Sequence, residues 1–413
     1  MRKKTFFLLL TVFVIAYVVT AVNFWLVENM YAIAGRFMVY YNHLKFIRGE
    51  GPAPNQYRVA PYFLVEYVFK YSPVRWYCNT YRHLKRWCGY DESLLADIDN
   101  ELNLESHFPA QERDKFVKSL ESFIRERMTE LTKNPIVTGF VMNFANQIGW
   151  KEWFYDPFTF AHSLVESLPY EVRQVFYNDS ELTKLINGYA TMKFVFAFLL
   201  FFVLYLWLRS FENEMLAYFG LFCFAVFLIF SYADFTQQEF MISVFLFVFS
   251  MWLIRRNKPW WSIFLTIVAM CFVRTDHAFF VALLYGLARF ERRSSSLIKI
   301  LLHSAPPILM TYLWSKVIFP SSKYYTAFFR IDNFTDPWAL VYPAIFFILI
   351  LVFTNHIKSD GFFRRTWPWL IPFFILNATV GVVREIRLFL PAFAYLLPVF
   401  LKGVRLLYNT TEK

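Results

Sequence analysis

Glycine is scarce in this chain, at 12 of 413 residues. Loops that cradle phosphate with backbone N–H groups are built on glycine. The chain has no P-loop and no Gly-rich nucleotide fingerprint, so a backbone phosphate cradle is not expected. Cysteine is scarcer still, with four residues. Cys223 and Cys271 sit inside apolar runs and read as packing residues. Cys78 and Cys88 lie in the one long hydrophilic segment. A disulfide between them is allowed if that segment faces an oxidising compartment, but the spacing alone does not establish it. A zinc site would need a second close ligand pair, which His83 alone does not supply. No Ser-His-Asp order is found. The sequons at Asn178, Asn333, Asn377 and Asn409 are chance-level triplets, used only by a eukaryotic secretory protein.

Charge is sparse at 18%, whereas 57% of residues are hydrophobic, 52 are Phe and the mean hydropathy is +0.37. Several apolar runs approach or exceed the length of a bilayer-spanning helix. This is the composition of an all-α polytopic membrane protein. The net charge of +11 then reads as loop Lys and Arg retained on the cytoplasmic side, and no nucleic-acid partner is expected. The start, Met1-Arg2-Lys3-Lys4 followed by an apolar run, resembles a signal peptide. The run is too long for one and ends in the interfacial pattern Asn23-Phe24-Trp25, so an uncleaved first helix with its amino end inside is expected.

About ten transmembrane helices are expected, near 5–27, 189–208, 213–232, 237–254, 259–273, 278–288, 297–319, 337–355, 366–383 and 388–403. Three parts follow: a first transmembrane helix (1–27), a large extracytoplasmic insertion with interfacial helices (28–188) and a multi-span bundle of about nine helices (189–413). In the insertion, 57–71 reads as an amphipathic helix with Val59, Phe63, Tyr67 and Val68 on one side, lying in the interface. Pro306-Pro307 reads as a kink inside a span. His303 and His356, near helix ends, read as interfacial.

The gaps between spans alternate in kind. One set is basic: 255–258, 289–293, 358–365 and 402–405. The other mixes acids with Arg or His: 232–239, 274–277 and 384–387. The alternation gathers the basic gaps on the cytoplasmic face and the acid-bearing gaps on the opposite one, so both chain ends are expected inside. The stretch between the basic gaps at 255–258 and 289–293 must therefore turn back as a hairpin with its tip at 274–277. Its arms are about 22 and 17 Å long against a core of about 30 Å, which holds the tip below the outer surface.

Five elements meet on that face. They are Glu28-Asn29; Asn55 with Gln56, Tyr57, Arg58 and Pro61; Tyr232, Asp234, Gln238 and Glu239; Arg274, Asp276 and His277; and Arg384, Glu385 and Arg387. Any single Arg–carboxylate pair would serve to neutralise itself beside the bilayer. Five such gaps at one depth fit a pocket for an anionic amphiphile. Arginine's planar fork suits phosphate oxygens, and a carboxylate beside it can take a proton from a hydroxyl.

The order of a first span, an acid just after it, a long outer loop and many short Phe/Leu-rich helices resembles the C-type integral-membrane glycosyltransferase superfamily. Glu28 stands where that superfamily carries its usual base, and the resemblance implies a polyprenyl-phosphate-linked sugar as donor. The chain also resembles a group of bacterial multi-span envelope proteins. The shared elements are a Tyr-Arg helix start (Tyr57, Arg58, Val59, Pro61), a mid-chain Asp (Asp234), an Arg-bearing hairpin (274–277) and a Glu-x-Arg-x-x-x-Pro element (Glu385, Arg387, Pro391). Together these imply an inner-membrane glycosyltransferase acting on an envelope glycan or lipid. Its catalytic carboxylates would be Glu28, Asp234 and Asp276. Its substrate-binding residues would be Tyr57, Arg58, Glu239, Arg274, His277, Arg384, Glu385 and Arg387. No organic cofactor or metal is called for, a divalent ion on the phosphate remaining open. The partners expected are membrane lipids and a lipid-linked phosphosugar. A transporter or flippase for an anionic lipid, or a polysaccharide polymerase or ligase, is the alternative that uses the same residues.

Cysteine labelling of intact cells tests the topology. Positions near Glu101, Asp234, Asp276 and Asp332 should label from outside, and those near Lys258, Arg292 and Ser359 should not. Cytoplasmic exposure of both Asp276 and Arg292 would eliminate the hairpin.

Overall fold

The architecture follows from a computed structural model that describes residues 2–30, 39, 42–44, 46–51, 53–74, 76, 180–230, 238–289, 294–322, 360–381 and 386–411. The described residues are helical, with no strand among them. The helices are α1 (Arg2–Met30), α2 (Val59–Tyr67), α3 (Ser180–Leu208), α4 (Glu214–Phe230), α5 (Phe240–Arg255), α6 (Trp260–Cys271), α7 (Thr275–Arg289), α8 (Ser294–Tyr312), α9 (Gly361–Thr366), α10 (Leu370–Thr379) and α11 (Leu390–Thr411). Among the described residues, every expected span except 337–355, which lies outside them, overlaps a helix, and 366–383 is divided among the end of α9, a 3-10 turn at Trp367–Trp369 and α10. Among the described residues, four segments are long and apolar enough to cross a membrane: Lys3–Phe24, Thr183–Leu208, Leu297–Ile318 and Arg387–Arg405. The apolar helices α4, α5 and α6 are shorter.

The chain divides into two compact units. The first comprises Met1–Thr20, Phe46–Phe63 and Met192–Lys413; the second comprises Ala21–Lys45 and Leu64–Thr191. Residues 46–63, part of the insertion by composition, thus belong with the bundle. Most of the remaining insertion, 77–179 with Cys78 and Cys88, lies outside the described residues.

At the centre of the first unit is α5. It is apolar on all sides and most of its side chains are buried, as expected of a helix with no polar stripe. It packs on α6, α7 and α11. Asn257 ends this helix. It adopts a left-handed conformation (φ 54°) while Asn257 N donates to Ile254 O and Lys258 N to Leu253 O. That is the paired closure that satisfies the last carbonyls of a helix, with Pro259 beyond it. Aromatic rings fill the core. Trp369 is fully buried and lies 5.3 Å from Phe247, 5.1 Å from Phe373 and 5.4 Å from Tyr395. The Tyr395 hydroxyl meets Thr366 Oγ1 at 2.8 Å, so the buried phenol keeps a partner.

Outward faces are apolar as well. Phe6, Phe7, Leu10, Phe13, Val14 and Val18 are exposed on α1, and Leu297, Ile298, Leu301, Ile308 and Leu309 on α8. Such faces exceed the patches that a water-soluble monomer shows and suit a bilayer. Pro306 and Pro307 lie inside α8, which runs on into a π-helical turn at Leu313–Ile318. His303 is fully buried among protein groups. Its ring stacks on Tyr285 at 4.1 Å, with Nδ1 against Lys299 O and Nε2 against Trp260 O. His356 lies outside the described residues. On α2, Phe63, Tyr67 and Val68 are exposed while Val59, Tyr62 and Val65 are buried. Val59 thus parts from Phe63, Tyr67 and Val68, which remain together on the exposed side.

In the second unit, the backbone at 69–70 approaches α3 closely. A Cβ on Gly188 would stand 2.9 Å from Lys70 N and 3.1 Å from Phe69 C, and backbone cannot rotate away as a side chain does. Gly188→Ala should therefore destabilise by about 1–3 kcal/mol, the usual cost of overpacking. On Gly286 a Cβ would make an ordinary 3.5 Å contact with Ile300, so Gly286→Ala should be neutral or stabilising. Thermal unfolding of both variants in detergent reads the contrast.

Candidate functional site

Bonds across the first unit gather parts of three of the five expected elements, 55–58, 238–239 and 274–277. Gln56 organises the segment ahead of α2: its Oε1 accepts from Gly51 N at 2.6 Å and its Nε2 donates to Phe46 O at 3.0 Å. Ala60 N, in the first turn of α2, donates to Phe272 O at 3.0 Å. This satisfies a helix-start donor and holds Arg58 beside the turn between α6 and α7. The hairpin expected from charge is present. Its helices have 12 and 15 residues and pack on each other. Arg289, at the far end of α7, reaches back to Ile254 O.

Two ion pairs and a histidine form the cluster. Arg58 Nη1 meets Glu239 Oε1 at 2.6 Å, with the Glu239 side chain 1% exposed and that of Arg58 12%. Glu239 directly precedes α5, where a carboxylate gains from the helix dipole. Arg274 grips Asp276 with its fork, Nε on Oδ1 at 3.1 Å and Nη2 on Oδ2. The Asp276 side chain is 34% exposed. Asp276 stands in the first turn of α7, again at the favourable end of a helix. His277 is buried. Its Nδ1 lies 2.6 Å from Ser243 Oγ on α5, and its ring meets Phe247 edge-on at 5.7 Å. Arg58 acts electrostatically on both Asp276 and His277, so both pairs share one locality.

Among the described residues, Arg274 Nη1 and His277 Nε2 make no hydrogen bond. The site thus offers one guanidinium nitrogen and one ring nitrogen beside a half-open carboxylate. Among the described residues no group of three or more His, Cys, Asp or Glu could hold a metal ion.

The structure brings Arg58, Glu239, Arg274, Asp276 and His277 together. Tyr57 instead packs in a small apolar cluster with Ala53, Val59 and Trp314. Arg387 is buried in the turn Ile386–Phe389 that leads into α11. Asp234, Arg384 and Glu385 lie outside the described residues, as does the side chain of Glu28. Sequence reading missed Ser243. The available signal was its place four residues after Glu239, on the same face of α5.

The basic gaps gather at the other end of α5, about 24 Å away at 1.5 Å per residue. Arg255 pairs with Asp360 at 3.2 Å and lies over Phe211 at 4.5 Å. Asp360 also caps α9, accepting from Phe362 N and Phe363 N. Arg405 pairs with Glu212 at 2.9 Å and Lys4 with Glu214 at 3.4 Å. Among the described residues, the cluster and these basic residues thus lie toward opposite ends of α5.

The second unit holds a polar network that the sequence did not announce. His43 Nε2 lies 2.9 Å from Glu66 Oε2, His43 Nδ1 lies 2.8 Å from the Tyr189 hydroxyl, and Lys70 Nζ pairs with Glu66 Oε1. A carboxylate only accepts, so Nε2 carries the hydrogen and Nδ1 accepts from Tyr189. Neutral imidazole satisfies both bonds.

Comparison with protein-family models, with curated proteins and with solved structures finds no match.

Burial disfavours the imidazolium and holds the His43 pKa below its usual 6.5, against the opposing pull of Glu66. Burial also works against the Glu66 carboxylate, but hydrogen bonds from Lys70 and His43 prevail and hold its pKa below the usual 4.5. For both groups the unfolded chain takes up its proton at higher pH than the folded one, so acid destabilises. His43 should cost stability as pH falls below about 6.5, and Glu66 as it falls below about 4.5. Between pH 7.5 and 5.5 the melting temperature of the wild type should fall more steeply than that of His43→Gln. Equal slopes would rule out His43 as the cause.

Proposed function

We propose that this chain is a membrane glycosyltransferase that takes a sugar from a polyprenyl-phosphate carrier on the outer face of the inner (plasma) membrane and delivers it to an envelope glycan or lipid. The carrying observation is the convergence of Arg58, Glu239, Arg274, Asp276 and His277, from three separate stretches of chain, at one end of the largely apolar α5. Charges buried among apolar helices are costly, and two ion pairs confer less stability than well-packed apolar residues would. A function explains them better than folding does. In this reading the ten spans and the large outer insertion frame a site that opens outward, with both chain ends cytoplasmic.

The parts divide the chemistry. Arg274 spends Nε and Nη2 on Asp276 and offers Nη1 to a phosphate oxygen. Asp276 sets the plane of that guanidinium, and Glu239 does the same for Arg58. The apolar helix faces accept the polyprenyl tail. Phosphate contact also stabilises the leaving group as the bond from the anomeric carbon breaks.

Polyprenyl monophosphate and neutral polyprenol, offered to the full chain in nanodiscs and read by native mass spectrometry, test the reading. The phosphate should bind, and Arg274→Lys or Arg58→Lys should weaken it by about tenfold, or about 1.4 kcal/mol, because the planar fork is lost while the charge stays. The neutral lipid should bind no better to wild type than to the variants. Equal binding of the two lipids by the wild type would dismiss the site.

A further inference from the structure

We propose that His277 is the proton acceptor of this site and that Ser243, bonded at Nδ1, holds its ring in the orientation the reaction needs; this rests on the anionic-lipid reading above. A buried imidazole ordinarily has both ring nitrogens satisfied. The other two described histidines with printed bonds follow that rule: His43 is bonded by Tyr189 and Glu66, and His303 by two backbone carbonyls. His277 departs from it. Nδ1 is taken by Ser243 at 2.6 Å, whereas Nε2 has no partner among the described residues.

The surroundings indicate what Nε2 is for. Arg274 and Arg58 both act on His277, as does Asp276. A neutral ring can take a proton. With hydrogen on Nδ1 donated to Ser243 Oγ, the Nε2 lone pair is left for a substrate hydroxyl. The two described carboxylates of the cluster are worse placed for the task. Both oxygens of Asp276 are held by Arg274, and Glu239 is paired with Arg58 and almost fully enclosed.

The step balances. The acceptor hydroxyl gives its proton to His277 Nε2, and its oxygen bonds to the anomeric carbon. The bond from that carbon to the phosphate oxygen breaks, and its electron pair leaves with the polyprenyl phosphate. The imidazolium then returns its proton to solvent. No oxidant or further co-reactant is needed. His277 is thus the catalytic residue and Ser243 a positioning residue.

His277→Asn tests the assignment, because the shorter amide can still donate to Ser243 but has nothing at Nε2. Two readouts are needed: polyprenyl monophosphate binding in nanodiscs, and transferred sugar in a deletion strain complemented with each variant, by mass spectrometry of envelope lipids and glycans. His277→Asn should bind within about twofold of wild type while turnover falls by about 100-fold or more. Ser243→Ala should lose turnover in the same direction, and Ser243→Thr, which keeps the hydroxyl, should recover most of it. Should His277→Asn not reach the membrane, the Ser243 pair carries the test: turnover should fall in Ser243→Ala at unchanged polyprenyl monophosphate binding, whereas a purely structural role would lower binding and turnover together and overturn the proposal. Normal turnover in His277→Asn overturns the proposal and leaves the lipid-phosphate reading intact, provided Arg274→Lys still weakens binding. Failure of the wild type to bind the phosphate removes both.

Discussion

The shortness of the α6–α7 hairpin is the constraint on which the candidate site depends. Helices of 12 and 15 residues extend only about 18 and 22 Å at 1.5 Å per residue. Their connecting turn therefore ends among the other helices rather than beyond them. A turn in that position exposes backbone and charge to an apolar interior, and each exposed group needs a local answer. Phe272 O receives Ala60 N, Arg274 receives Asp276, and His277 receives Ser243. Once those answers are in place, residues from α2, α5 and α7 lie close together.

Sorting by polarity explains the rest of the first unit. Aromatic rings close the interior around Trp369, and apolar side chains also cover the outside of α1 and α8. Charge is left to the helix ends, where it divides into an arginine–carboxylate cluster at one end of α5 and a predominantly basic rim at the other. The rim is held by Asp360, Glu212 and Glu214. Asp360 also accepts from Phe362 N and Phe363 N, so it fixes the start of α9 in addition to balancing charge.

Several of these features were legible beforehand, for a common reason. The helices at 5–27, 237–254 and 388–403 were marked by long apolar runs, and the hairpin by basic residues at both of its ends. The roles of Tyr57 and of His303 were not legible. Tyr57 stands beside Arg58 in the chain, yet its ring joins Ala53, Val59 and Trp314. His303 sits near a helix end by count, yet an aromatic pocket of Trp260, Phe264 and Tyr285 encloses it. Neighbours in sequence share a location but not a direction, and direction decides contact.

Sequence alone determined the helical class, the apolar spans and the alternation of charged gaps, because each is a local property of composition and order along the chain. Only the tertiary structure decided the pairings. Arg58 and Glu239 are separated by 181 positions, and His43 and Tyr189 by 146. No periodicity relates such residues. A buried charge or ring nitrogen takes whichever partner the packing of helices brings within about 3 Å, and that distance exists only after the chain has folded.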